Sequence, residues 1–330
     1  MAGKVSRIIL CYTRQHIFIQ DFLITSFQSH LLGAVAALLS AFCWAVAAIL
    51  FRRIGDRITA MGINLAKGLV AMLFMVVLLL PGFYSGLASL DTNSIAALAL
   101  SGIIGICFGD TLYFLALMRL GARRTLLLGS LIPVTTALIA VVFLGEQIPI
   151  LAWLGMALAI AGVTYVLWQR APRENTQQKP CEKYRSGLFF GLLFVVANAL
   201  GIIATKVGVA DIPALEATFV RQAFAIAGLT FWGLMVRDLL GWVTPLREGK
   251  LLKILLVASL IGALLGTWLS VVALKYTYVA VAATLNSTSP LFILPLAAFW
   301  LKERVNWREI AGALAAVTGI GLYFSSLRLL

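Results

Sequence analysis

The stretch GICFGDTLYFLALMRLGA, Gly105–Ala122, returns 157 positions later as GALLGTWLSVVALKYTYV, Gly262–Val279. The same shift, without a gap, superposes Ser130 on Ser287, Pro133 on Pro290, Glu146 on Glu303, Gly155 on Gly312 and Gly162 on Gly319. A shift of 154 matches the earlier parts, placing Gly33 on Gly187, Arg52 on Lys206 and Lys67 on Arg221. Matched Pro, Ser, Glu and basic residues do not follow from an apolar composition, so the pattern indicates an internal duplication.

The composition predicts that the duplicated units lie in a membrane. Of 330 residues, 62% are hydrophobic and 12% are charged, which is too little polar surface to cover a water-soluble globule. A helix needs roughly 20 apolar residues to cross a bilayer, and the chain offers ten such stretches. They lie near Leu31–Phe51, Met61–Leu80, Ile95–Leu117, Thr125–Leu144, Leu151–Trp168, Gly187–Val207, Ala214–Val236, Leu252–Leu274, Val279–Leu301 and Ile310–Ser326. We therefore predict an all-α integral membrane protein with ten transmembrane helices.

The polar stretch at 169–186 divides these helices into two groups of five. We expect an N-terminal tail at 1–30, a first five-helix repeat at 31–168, a polar linker at 169–186 and a second repeat at 187–330. Because five is odd, a tandem duplication places the second repeat upside down relative to the first, and inverted repeats suit alternating access.

The basic residues predict how the chain lies in the membrane. The net charge is +13, but the Lys and Arg residues are scattered over short connectors and form no dense tract, so we expect no nucleic-acid partner. The connectors richest in these residues share one side, and the positive-inside rule makes that side cytoplasmic. Both termini then lie outside the cytoplasm, in a multi-pass protein of the plasma or inner membrane. The basic residues Lys4, Arg7 and Arg14 of the tail weigh against this orientation.

Two paired segments resemble a known family. They run from Ala116 through Pro133 to Glu146, and from Ala273 through Pro290 to Glu303, each followed by a glycine-spaced helix. This pattern resembles the EamA-type transporters of the drug/metabolite transporter superfamily. The resemblance implies a central cavity between the halves, open to each side in turn, and export or exchange of small metabolites. It also matches Arg221 to the basic position typical of the family's second helix.

Charged residues within the predicted helices are the strongest candidates for a transport site. A central cation costs on the order of 3 kcal/mol to insert, so Lys67 and Arg221 need a solvated cavity, a partner, or a path to the interface by snorkelling. Asp110 is the only carboxylate deep in a predicted span, and Thr267 replaces it in the second half. Asp110 could bind a proton, bind a cationic substrate group, or neutralise Lys67 or Arg221.

Polar residues next to helix-interrupting prolines are the second group of candidates. Pro133 and Pro290 each free a backbone carbonyl, and Ser130, Asn286 and Ser287 precede them closely. Such breaks either line a cavity or are ordinary kinks between packed helices. Further polar or aromatic candidates for the cavity are Trp44, Tyr113, Asn198 and Trp268.

Secondary transport is the function that these features favour. The only histidines, His16 and His30, precede the first helix, and no metal cluster, nucleophile with a base, or nucleotide-binding P-loop is visible, so we expect neither an enzyme nor a bound cofactor. We expect export of amino acids or related compounds, with protons as a candidate coupling ion. The alternatives are exchange of organic anions or sugar phosphates and, in another class, a membrane sensor or scaffold. The small-residue helix faces fit a monomer or a homodimer.

Overall fold

The computed structural model describes residues 31–79, 91–144, 178–209, 212–277 and 279–300, with scattered residues at 153–165 and 307–318. All regular secondary structure in these residues is helical. The tail at 1–30 and most of the predicted fifth and tenth helices lie outside the described residues. The ten-helix count therefore stays a prediction, whereas the helical class predicted from composition is confirmed.

The first half contributes five helical elements. They are α1 (Leu31–Ile54), α2 (Ala60–Leu79), α3 (Thr92–Leu120), α4 (Ala122–Gly129) and α5 (Ile132–Leu144). The turn between α4 and α5 falls at Ser130–Leu131, just before Pro133. Pro133 has no backbone N–H to donate and is tolerated in the first turn of a helix, so its position fits the start of α5 after the turn.

The second half repeats this arrangement. Its elements are α6 (Gln178–Gly208), α7 (Ala214–Met235), the short α8 (Leu239–Val243), α9 (Gly249–Tyr276), α10 (Val279–Asn286) and α11 (Ser289–Trp300). The turn between α10 and α11 falls at Ser287–Thr288, again just before a proline.

Six helical stretches in the described part of the chain are long and apolar enough to cross a membrane. They are Leu31–Ile54, Ala60–Leu78, Thr92–Leu120, Ala122–Ile139, Glu182–Gly208 and Gly249–Tyr276. Helix α7 has 22 residues, which is about 33 Å at helical rise, although Arg221 and Gln222 make it more polar than these six. Large apolar side chains such as Leu73, Val77 and Phe231 point outward, as a lipid environment requires.

Helix α6 begins nine residues earlier than the sequence predicted. The run Gln178–Ser186, which we assigned to the polar linker, forms its first turns. Most of this run, including Gln178, Lys179 and Glu182, is made of good helix formers. Pro180 is compatible because a proline in the first turn removes no helical hydrogen bond. Hydropathy locates the membrane-spanning part of a helix but not a polar extension beyond it.

Two helices widen into π-helix at equivalent places in the two halves. The segments are Gly102–Asp110 in α3 and Ser259–Gly266 in α9, and the 157-residue shift superposes them. A π-helix leaves carbonyls less regularly paired, and such segments occur often at functional sites. Ser40 of α1 donates a hydrogen bond to the Gly266 carbonyl at 2.8 Å, so a neighbouring helix satisfies one of these groups.

The two halves interlock through these π segments. Helix α2 packs against the π segment of α9, and α7 packs against that of α3. Helix α6 runs along α3, and the backbones nearly touch where Gly105 meets Gly201: a Cβ added to Gly201 would lie 2.8 Å from the Gly105 Cα. Ser101 donates to the Gly201 carbonyl at 2.7 Å beside this contact. Small residues permit such close approach between helices in membranes.

Candidate transport site

A buried ion pair joins α2 to the end of the π segment in α3. The Lys67 Nζ lies 2.6 Å from the Asp110 Oδ2, and the two side chains are 1% and 12% exposed. Lys67 therefore does not snorkel to an interface, which was one of the alternatives from the sequence. Each charge would be costly alone at this depth, and the pairing offsets part of the desolvation penalty of both.

Aromatic side chains surround this pair. The Phe114 ring centroid lies 5.6 Å from the Lys67 Nζ, within the range of a cation–π interaction. Tyr113 is buried, and its hydroxyl has no hydrogen-bond partner. The Trp44 ring packs edge-on against Tyr113 with 6.2 Å between centroids. Since the Tyr113 and Phe114 rings also pack together, with 5.2 Å between centroids, the predicted residues Trp44, Lys67, Asp110 and Tyr113 are linked through Phe114.

Asn64 supports the pair from one helical turn away, and the sequence reasoning missed it. Its Nδ2 donates to the Ile106 and Cys107 carbonyls at 2.9 and 3.2 Å, and lies 2.9 Å from the Thr111 Oγ1. Asn64 thereby satisfies carbonyls that the π segment leaves exposed next to Asp110. Its position three residues before Lys67, on the same face of α2, is the signal that could have identified it.

Arg221 approaches the same π segment from α7 but has no comparable partner. Its side chain is partly accessible, its Nε has no hydrogen-bond partner, and it forms no ion pair with a described residue. A Cβ added to Gly105 would lie 3.8 Å from its Nη2, so a bare glycine faces the guanidinium. One turn along the same glycine face, a Cβ on Gly109 would lie 3.1 Å from the Asn198 Nδ2, which also lacks a partner.

Gln222 is a second polar residue that the sequence reasoning missed. It follows Arg221 directly and is 1% exposed, yet its Nε2 has no hydrogen-bond partner. Its amide lies against Gly68, the residue after Lys67, where an added Cβ would be 2.6 Å from the Nε2. The repeat-related helices α2 and α7 therefore pack together at the level of Lys67 and Arg221.

The remaining predicted residues make their contacts elsewhere. Ser130 and Ser287 donate to carbonyls of their own helices, those of Leu127 and Ala283, at 2.6 and 2.7 Å. Their hydroxyls thus satisfy backbone groups at the two breaks before Pro133 and Pro290.

Asn286 and Trp268 are also outside the group around Lys67. Asn286 donates to the Ser270 Oγ at 3.3 Å, while its Oδ1 has no partner. Trp268 lines an apolar groove of about 440 Å³ between α1, the start of α7 and α9, together with residues such as Leu32 and Val35. Since Leu32 and Val35 are exposed, this groove faces the lipid. The described residues contain no His, Cys, Asp and Glu group suited to a metal ion.

Comparison with known proteins identifies the family. The model of the EamA-like transporter family matches residues 31–168 and 185–325, which is most of the chain. This chain belongs to the EamA-like transporter family. The resemblance predicted from the paired segments is confirmed, and with its apolar helices the chain is a multi-pass membrane transporter.

Similar proteins agree with this assignment. An uncharacterized transporter of Archaeoglobus fulgidus is 27% identical over 290 residues, covering 88% of this chain and 97% of the relative. A solved crystal structure, described only as that of a protein, superposes with a TM-score of 0.64 at 18% identity, covering 92% of this chain and 98% of the other. This second similarity concerns the fold alone.

Proposed function

We propose that this EamA-like transporter is a secondary exporter of amino acids or related small metabolites, working by alternating access through a central cavity between its two halves. The observation that carries the proposal is the Lys67–Asp110 pair, 2.6 Å long and enclosed by helices of both halves. Ionisable residues inside a membrane are rare, face the bundle interior, and mark substrate or ion pathways.

Unpartnered polar groups near the pair support a binding role. The Tyr113 hydroxyl, the Asn198 Nδ2 and the Arg221 Nε lack hydrogen-bond partners among the described residues, although buried polar groups are normally paired. In an exporter, substrate or water can supply the missing partners. A bundle with a purely structural role would gain nothing from leaving several such groups unsatisfied on neighbouring helices.

Asp110 is the group through which protons would couple to transport. In the paired state it neutralises Lys67, so protonation of Asp110 would leave Lys67 free to meet a substrate oxygen or water. The alternative is a permanent structural pair. The π segment that ends at Asp110 supplies a helix with less regular backbone bonding at this point.

Uptake into proteoliposomes tests the proposal. The purified full-length chain is reconstituted and challenged with a panel of radiolabelled amino acids, organic acids and sugar phosphates, with and without an inward-acid pH gradient. We expect saturable uptake of at least one class above empty liposomes. Lys206→Gln is a control that should take up the same compound like the wild type, because Lys206 donates to backbone carbonyls away from the pair. A panel without uptake above empty liposomes would favour a sensor or scaffold instead.

Exchange of organic anions or sugar phosphates is the second candidate. It is favoured by an excess of positive charge, since Asp110 pairs with Lys67 and leaves the charge of Arg221 unbalanced. Guanidinium and ammonium groups both bind phosphate. Trans-stimulation of uptake by an internal sugar phosphate, but not by an internal amino acid, would select this candidate.

The orientation is part of the same proposal. We place the chain in the plasma or inner membrane with both termini outside the cytoplasm, as a monomer or a homodimer. The exposed pair between Arg57 and Glu248, at 2.9 Å, then lies on the cytoplasmic side. A C-terminal reporter that is active only in the cytoplasm should stay silent.

A further inference from the structure

The two repeats differ in how their basic residues Lys67 and Arg221 are neutralised. Lys67 and Arg221 occupy equivalent positions, as do Asp110 and Thr267. In the first half Lys67 forms an ion pair with Asp110, with 2.6 Å between the Nζ and the Oδ2. In the second half Thr267 stands where the acid would be, and its Oγ1 lies 3.5 Å from the Gly262 carbonyl. The repeat that contains Arg221 therefore lacks one negative charge.

The missing partner of Arg221 must be a hydrogen-bond acceptor. A guanidinium has N–H donors, no acceptor, and a charge that persists at any physiological pH. Its Nε is enclosed without a partner, and the side chain forms no ion pair with a described residue. The unpartnered amides of Asn198 and Gln222 can be flipped to exchange donor for acceptor, whereas the guanidinium of Arg221 is a donor in every orientation.

Glycines of α3 lie next to the Arg221 guanidinium. Gly105 faces the guanidinium, with 3.8 Å between the Nη2 and an added Cβ, and Gly109 continues this bare face toward Asn198. The Arg221 side chain is also partly accessible, unlike Lys67. An acceptor would have to approach Arg221 from its accessible side, because the Gly201 backbone fills the space beside Gly105, with 3.3 Å between its Cα and an added Cβ.

We propose that Arg221 binds an oxyanion of the transported compound, a carboxylate or a phosphate, in the state in which Asp110 is ionised and paired with Lys67. The substrate supplies the negative charge that Thr267 does not, and Asn198 is a second donor along the same glycine face. This inference rests on the proposed transport function and narrows it: compounds without an oxyanion are excluded. Planar guanidinium groups suit both oxyanions because they can donate two parallel hydrogen bonds.

Binding to the purified full-length chain tests the proposal with matched probes. One pair is L-phenylalanine and L-phenylalaninamide, which differ in the carboxylate, and the other is glycerol 3-phosphate and glycerol. Thermal unfolding in detergent is followed against probe concentration. We expect the oxyanion probe of one pair to raise the unfolding temperature of the wild type at a concentration at least about tenfold below the concentration that its mate needs. The reason is that charge-assisted hydrogen bonds are stronger than neutral ones. Which pair responds separates carboxylate from phosphate.

Three variants tie the preference to Arg221. Arg221→Gln should abolish it, Arg221→Lys should retain part of it, and Lys206→Gln, which removes a basic residue bonded to carbonyls, should leave it unchanged. Thr267→Asp restores the acid of the first repeat. Because Lys67 and Asp110 pair at the equivalent positions of the first repeat, the new carboxylate should pair with Arg221, raise the unfolding temperature without ligand and weaken anion binding about tenfold. This last variant keeps Arg221 and remains informative if Arg221→Gln does not fold.

The proposal is overturned if neither probe with an oxyanion acts better on the wild type than its mate without one, or if Arg221→Gln or Thr267→Asp leaves the preference intact. Transport of the same probes, measured in parallel in proteoliposomes, distinguishes failure of the anion site from failure of the proposed transport function. If the probes are transported equally well without Arg221, the transport function is supported and the anion site at Arg221 is wrong. If binding depends on Arg221 but no probe is transported, the anion site is supported and the transport function is wrong.

Discussion

Replacing Asp110 by Asn tests whether the buried pair has the energetic weight that its geometry implies. The change keeps the shape of the side chain but removes its charge, and it leaves the Lys67 ammonium, 1% exposed, without a counter-ion. Breaking a buried pair from one side typically costs about 3–5 kcal/mol, because an uncompensated charge remains. We therefore expect Asp110→Asn to lower the free energy of unfolding by about that amount.

Two comparisons separate this effect from a general loss of fit. The double variant Lys67→Met/Asp110→Leu removes both charges, and we expect it to be roughly neutral, within about 1–2 kcal/mol of the wild type. Arg57→Gln breaks the Arg57–Glu248 pair, whose side chains are 64% and 47% exposed. Such exposed pairs contribute about 0–1 kcal/mol, so this control should change little.

The assay is equilibrium unfolding in mixed micelles of the same composition for every variant. With the single variants Lys67→Met and Asp110→Leu beside the double variant, a double-mutant cycle isolates the Lys67–Asp110 interaction. If Asp110→Asn costs no more than Arg57→Gln, the pair is not desolvated in the membrane, and the reasoning about its burial is wrong.

Three further predictions concern the same region. Asn64→Leu removes the amide donor of the Ile106 carbonyl, while the Cys107 carbonyl keeps the Thr111 hydroxyl, and it should lower stability by about 1–3 kcal/mol in the same unfolding assay. Gly201→Ala should cost about 1–3 kcal/mol because its Cβ would meet the α3 backbone, whereas Gly249→Ala, with nothing within 4 Å, should be tolerated. If protons couple through Asp110, the variant Asp110→Asn should transport without dependence on a pH gradient; wild-type dependence in this variant would assign the residue to a structural pair.

The sequence predicted the helical class because membrane-spanning helices are recorded in simple runs of apolar residues. It also placed Lys67 and Asp110 in the interior and raised their pairing as one alternative, since charges at that depth need a partner. It could not choose between Lys67 and Arg221 as the partner of Asp110. That choice depends on how α2 and α7 are rotated against α3, which is decided by packing.

Other features were not predictable for identifiable reasons. The π segments of α3 and α9 depend on side chains from neighbouring helices, such as Asn64 and Ser40, that reach their carbonyls. A single Asn in an apolar run gives no indication of what it will bond. The polar first turns of α6 were also missed, because hydropathy is silent about helix outside the membrane.

The contact between Gly105 and Gly201 has a mechanical consequence. Here α3 of the first half and α6 of the second half meet backbone to backbone, with no side chain that could yield or interdigitate. The two helices cannot move closer together at the Gly105–Gly201 contact, whereas each can tilt about that contact. If one half rocks against the other, the contact would therefore be the pivot, and one end of the bundle would open while the other narrows.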